Sequence, residues 1–239
     1  MLTPTAATDE LSAHHHPAPG RQLNTVTRRR IITASIALAG AAFSGGFVPA
    51  FSQKQTLHPT AEDALGPFYP LTFPSDVDFD LTVIAGKEGR ALGQLLYVAG
   101  RVLNTRGEPV ANAVIEVWQA NAAGRYAHPG DDSKAPLDPN FQGYAKIRTD
   151  ADGRYRLKTI KPAPYDNRTA HIHFDVKGKN SRVVTQMYFE GEKRNETDPL
   201  LKRRSAESKK TLISRYDAPS GQQERDALVA MWDIVLASG

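Results

Sequence analysis

Two imidazoles and two phenols are the side chains of this sequence best suited to hold a metal: His171 and His173 flank Ile172, and Tyr126 and Tyr165 precede them. None of the 239 residues is cysteine, which excludes disulfides, thiolate metal sites and cysteine nucleophiles and leaves nitrogen and oxygen as donors. In an extended strand residues i and i+2 project from one face, so the two histidines would sit side by side with Ile172 turned away. A lone His-x-His pair is a weak signal, found on surfaces and in zinc or cupin sites as well. A cupin would want another histidine on a later strand, and none follows His173. Zinc would accept the pair, but its third histidine would be His128, in a Pro-Gly-Asp-Asp loop that reads as exposed.

The phenols shift this balance. Tyr126 follows Ala122-Ala123-Gly124-Arg125 and Tyr165 ends Lys161-Pro162-Ala163-Pro164, both at bends just outside expected strands, where a side chain can be aimed at a site. Core packing with a satisfied hydroxyl is the plainer role for a tyrosine. A phenol of reference pKa ~10 keeps its proton at neutral pH unless a strong Lewis acid takes its oxygen, and ferric iron is the common biological ion hard enough to do so. Such a centre binds an aromatic diol as a dianion and makes that substrate the electron source. Non-haem Fe(III) chemistry is the expectation.

Short β-type runs must position these residues. They cover 95–103 and 113–119, with a break at Arg106-Gly107-Glu108-Pro109. Runs at 144–149 and 154–160 flank Asp150-Ala151-Asp152-Gly153 and read as a hairpin with Tyr155 and Leu157 facing the core. That Asp-rich turn lacks the length and terminal Glu of a calcium loop. Residues 171–176 and 183–189 form a further strand pair, 200–212 a short helix, and 232–236 a closing strand. Four prolines interrupt residues 51–94, which are expected to wrap the domain. The fold predicted is all-β: an antiparallel β-sandwich with an irregular N-terminal wrap and few short helices.

Charge narrows the partners. Of 30 Lys and Arg against 26 Asp and Glu, four arginines and two acids lie in residues 1–50, leaving a nearly neutral body without the basic stripe of a nucleic-acid binder. Thr27-Arg28-Arg29-Arg30 opens an apolar run over residues 31–43, and Val48-Pro49-Ala50 offers a cleavage site. Paired arginines before a mild hydrophobic stretch resemble a twin-arginine export signal, with a general secretory signal as the plainer alternative. The run is short of the ~20 residues a membrane span needs. The organisation expected is an export signal at 1–50, an irregular extension at 51–94 and the catalytic domain at 95–239, with a periplasmic or extracellular destination and no membrane attachment after signal removal.

Several segments resemble the intradiol ring-cleavage dioxygenases, closest to the protocatechuate 3,4-dioxygenase type. They are Val117-Trp118-Gln119-Ala120-Asn121-Ala122-Ala123-Gly124-Arg125-Tyr126, Pro136-Leu137-Asp138-Pro139-Asn140-Phe141, Lys161-Pro162-Ala163-Pro164-Tyr165, Ala170-His171-Ile172-His173-Phe174 and Thr185-Gln186-Met187-Tyr188-Phe189-Glu190-Gly191. They follow the family order across roughly residues 95–239. The resemblance implies that Tyr126, Tyr165, His171 and His173 are ferric ligands, with Tyr165 the displaceable one. It implies that Arg168 lies beside the substrate ring, where a fixed cation stabilises developing negative charge. Gln186 matches a glutamine that hydrogen-bonds near the site. The implied reaction opens a catechol-type ring between its hydroxylated carbons with O2, giving a cis,cis-muconate-type diacid, and relatives assemble as dimers or larger oligomers. Only five residues separate Tyr165 from His171, fewer than in intracellular relatives, so one wall of the pocket is missing or built elsewhere. Leu65-Gly66-Pro67-Phe68-Tyr69 resembles a segment near the active site. A β-sandwich binding module without turnover, or a zinc hydrolase on a similar scaffold, are the alternatives.

Overall fold

The computed structural model describes residues 56–221 and 223–239; the expected export signal lies outside the described residues. Ten strands and one short α-helix follow in the order β1 (Leu95–Asn104), β2 (Val114–Trp118), β3 (Tyr144–Arg148), β4 (Arg154–Ile160), β5 (His171–Lys177), β6 (Arg182–Phe189), α1 (Ala206–Leu212), β7 (Ile213–Ser214), β8 (Tyr216–Asp217), β9 (Leu228–Met231) and β10 (Ile234–Leu236). Two 3-10 turns, Lys193–Glu196 and Leu201–Arg203, lie between β6 and α1. Residues 56–94 contain an isolated bridge from Asp80 to Lys158 but no strand or helix.

The strands build two five-stranded sheets. In one, β1 pairs antiparallel with β4 and parallel with β9 and β10, and β8 pairs with β9. The other runs β3-β2-β5-β6-β7, antiparallel except for its last pair. The mostly-β sandwich is as expected, but residues 144–160 are not a hairpin. β3 belongs to the second sheet and β4 to the first, so the turn at Asp150 to Gly153 is a corner between layers. Tyr155 and Leu157 do face the core.

Alternation in β5 explains what the sandwich holds. Ile172, Phe174 and Val176 point inwards and join Ile115, Val117 and Met187 of the neighbouring strands. Across the interior, Phe174 meets Trp232 at 4.9 Å and Tyr155 at 6.4 Å between ring centroids. The other face of β5 carries His171, His173 and Asp175, and all three are buried as well. A strand buried on both faces needs a second cover. Residues 56–74 supply it as a strap over the outer face of the second sheet. Asp63 N–H donates to Val184 O at 2.8 Å, Thr185 Oγ1 to Ala61 O at 2.8 Å and Tyr69 Oη to Glu116 Oε2 at 2.7 Å.

Candidate metal centre

Cross-strand register gathers the polar residues of that outer face. His173 lies opposite Trp118 on β2 and Gln186 on β6, and His171 lies opposite Tyr188. Directly opposed residues share a face, so these five side chains form one continuous patch under the strap. Trp118 stacks flat on the His173 ring, with centroids 4.9 Å apart and planes 9° apart. On its edge the same ring meets Gly66, where an added Cβ would stand 2.9 Å from Cε1; φ is +77°, so the position demands glycine twice over.

Two loops bring the phenols in. After β2, Asn121 Oδ1 accepts the amides of Ala123 at 2.9 Å and Arg125 at 3.0 Å, and Asp131 accepts that of Tyr126 at 2.7 Å. Gly124, at φ +78°, lets this loop touch the one carrying Tyr165: a Cβ there would lie 2.7 Å from Pro164 O. Ring centroids then close a circuit, with Tyr126 to Tyr165 at 5.3 Å, Tyr165 to His171 at 5.5 Å, His171 to His173 at 4.8 Å and His173 to Tyr126 at 6.2 Å. The four residues singled out from the sequence therefore converge, drawn from two strand positions and two loops.

The donor set fits a metal. His171 donates from Nδ1 to Thr169 O at 2.7 Å, which leaves the Nε2 lone pair directed at His173 Nε2 only 3.2 Å away. Two imidazoles on one ion, with metal–nitrogen bonds of ~2 Å, bring their nitrogens about this close. The buried Tyr126 hydroxyl makes no well-formed hydrogen bond, and neither does His173 Nδ1. An unpaired buried hydroxyl is costly, and coordination would satisfy it. Among the described residues no three His, Asp or Glu side chains cluster to hold a metal, so a centre here depends on the phenols.

Electrostatics match. Burial and the Arg168 charge push the His171 imidazole down to about 4, and burial, His171 and Arg168 push His173 well below its usual value. Both rings are neutral at pH 7, as ligands must be. Burial, then the neighbouring Tyr165, raise the Tyr126 phenol well above its ordinary value, and burial raises Tyr165 against the opposing pull of Arg168. Neither phenol ionises without a cation to take its oxygen.

Arg168 is buried beside the circuit. Its Nε donates to Asp198 Oδ2 at 2.9 Å, and its Nη2 to Gln186 Oε1 at 2.6 Å and Tyr188 Oη at 3.0 Å. Gln186 Nε2 donates to Ala64 O at 2.7 Å, so this amide links the arginine to the strap. His128 lies near Phe68, with ring centroids at 5.6 Å, and its Nε2 is buried, less exposed than its loop suggested. Sequence reasoning gave no role to Asp198, Tyr188, Asp63 or Trp118. The alternation of Gln186 with Tyr188 and the register of Trp118 were the signals available for two of them.

Comparison with known proteins gives a consistent result. The family model described as Dioxygenase matches residues 66–238. The protocatechuate 3,4-dioxygenase beta chain of Burkholderia cepacia is 45% identical over 183 residues, covering 73% of this chain and 77% of that protein. Catechol 1,2-dioxygenase 1 of Acinetobacter lwoffii is 35% identical over 125 residues, 44% of this chain and 37% of that one. Among solved structures, the dioxygenase domain of a carbohydrate-binding fusion protein from Streptomyces sp. SirexAA-E is 27% identical with a TM-score of 0.59, covering 76% of this chain and all of that one.

Proposed function

Since the chain belongs to the intradiol ring-cleavage dioxygenases, we propose that it opens catechol-type, protocatechuate-like rings with O2 at a non-haem ferric centre held by Tyr126, Tyr165, His171 and His173. The observation that carries this reading is the closed circuit of two neutral imidazoles, one buried phenol and one half-buried phenol around facing Nε2 atoms. Bound there, ferric iron would supply the Lewis acidity that holds a catecholate and the route by which substrate electrons reach dioxygen.

The protein's own part is positioning and proton handling. Thr169 O fixes the His171 tautomer, and the Trp118 indole fixes the plane of His173. Tyr165 is the more exposed phenol, so of the two it is the one placed to take a proton from an incoming substrate hydroxyl. Arg168 places a permanent cation where the ring acquires negative charge, in a setting poor in water. The net reaction places one atom of O2 on each carbon of the ring bond that opens, giving a cis,cis-muconate-type diacid.

We further propose that residues 1–50 direct export, so that the enzyme meets environmental catechols outside the cytoplasm, and that it forms at least a homodimer. Among the described residues no helix is long and apolar enough to cross a membrane. The primary test is colour and turnover. Iron-loaded protein should show a visible phenolate-to-iron band and consume oxygen with members of a catechol panel, and Tyr165→Phe should weaken both. A colourless protein holding zinc sinks the ferric reading, and a coloured protein inert towards the whole panel supports a binding module instead.

A further inference from the structure

We propose that Asp198 is a positioning residue for ring cleavage, holding the Arg168 guanidinium in one fixed orientation in the segment between Tyr165 and His171. The inference rests on the ferric dioxygenase reading above. Asp198 is fully buried in the turn between the two 3-10 segments, thirty positions from its partner. Its Oδ1 accepts the amides of Leu200 and Leu201, both at 3.0 Å, and its Oδ2 accepts Thr169 N–H at 2.9 Å together with Arg168 Nε. Four donors saturate the carboxylate and fix it to the backbone. Burial alone pushes its acidity down, but the Leu201 and Thr169 amides with the Arg168 charge hold the carboxyl below its usual range, so it stays ionised.

A planar guanidinium gripped at two of its nitrogens cannot rotate. Asp198 grips Nε, while Gln186 and Tyr188 share Nη2. Among the described residues Nη1 has no protein partner. Tyr188 in turn donates to Asp63 Oδ2 at 2.8 Å, and Arg204 pairs with Asp63 Oδ1 at 3.0 Å, so the frame extends into the strap. A cation stabilises a developing anion only if it is placed beforehand, and the buried carboxylate is what places this one.

The test is a double-mutant cycle on the iron-loaded enzyme. Asp198→Asn should lower kcat about ten- to a hundredfold, as expected for a displaced charge, with KM little changed and the visible band retained. In an Arg168→Gln background the same substitution should cost less than about twofold, because the group it positions is gone. Asp198→Glu should recover part of the loss, and it replaces Asn in the cycle should the amide variant fail to fold. Unchanged kcat in Asp198→Asn, or losses that simply multiply in the double variant, overturn the proposal while leaving the ferric reading intact. Unsubstituted protein that turns over no catechol overturns both.

Discussion

Tyr126 and Tyr165 carry the same phenol in different surroundings. Tyr126 is 3% exposed with an unpartnered hydroxyl, whereas Tyr165 is half-open and lies beside Arg168. Their loss should therefore differ in kind. Tyr126→Phe should abolish iron retention on dialysis, while Tyr165→Phe should still bind iron; equal retention in the two would contradict the division. Acid provides a second check at this scale. Unfolded histidine takes up a proton near 6.5, whereas folded His171 resists until about 4 and burial holds His173 well below its usual value too. In that window the unfolded chain binds more protons, so stability falls as pH falls. The denaturation midpoint of metal-free protein should decline from pH 6.5 towards 4, and His171→Gln with His173→Gln should flatten the slope. The donor residues were legible because His-x-His and two bend tyrosines stand out in a chain without cysteine. Asp198 was not, because nothing local marks an acid that pairs with an arginine thirty positions earlier.

Two glycines decide whether the elements can meet. Gly124 lets the loops of Tyr126 and Tyr165 touch, and Gly66 lets the strap lie on His173. Gly66→Ala should misplace the imidazole and sharply weaken metal binding, with a left-handed-backbone penalty of roughly 1–2 kcal/mol on stability; titration with iron and a denaturant curve separate the two effects. Gly86 has equally positive φ but open space around it, so Gly86→Ala should show the backbone penalty alone and serves as the control. The strands were legible from alternating runs and turn residues. Their partners were less so. A turn between two β runs looks alike whether it closes a hairpin or rounds a corner, which is why residues 144–160 read as one sheet. The parallel pairing of β1 with β9 and β10 joins segments more than a hundred residues apart, beyond any local pattern. The burial of both faces of β5 was hidden for the same reason, since the covering strap has no periodicity of its own.

At the scale of the molecule, stability and chemistry occupy opposite faces of one sheet. Phe174 belongs to the sandwich interior, and Phe174→Ala should destabilise the fold by about 3–5 kcal/mol. The protein that remains folded should keep the visible band of the iron centre, as a denaturation series followed by absorbance would show. The proposed export is tested on the whole chain as well: replacing Arg28, Arg29 and Arg30 by Lys should retain uncleaved precursor in the producing cell, whereas release of mature protein from that variant would argue for the general secretory route. The strap over the histidines adds a last consequence. None of residues 56–74 belongs to the main hydrophobic core, although they roof the site and tie into its arginine frame. Exchange of that stretch would leave the apolar interior between the sheets in place while rebuilding the roof over the histidines, so chemical taste can change in such a protein while its sandwich persists.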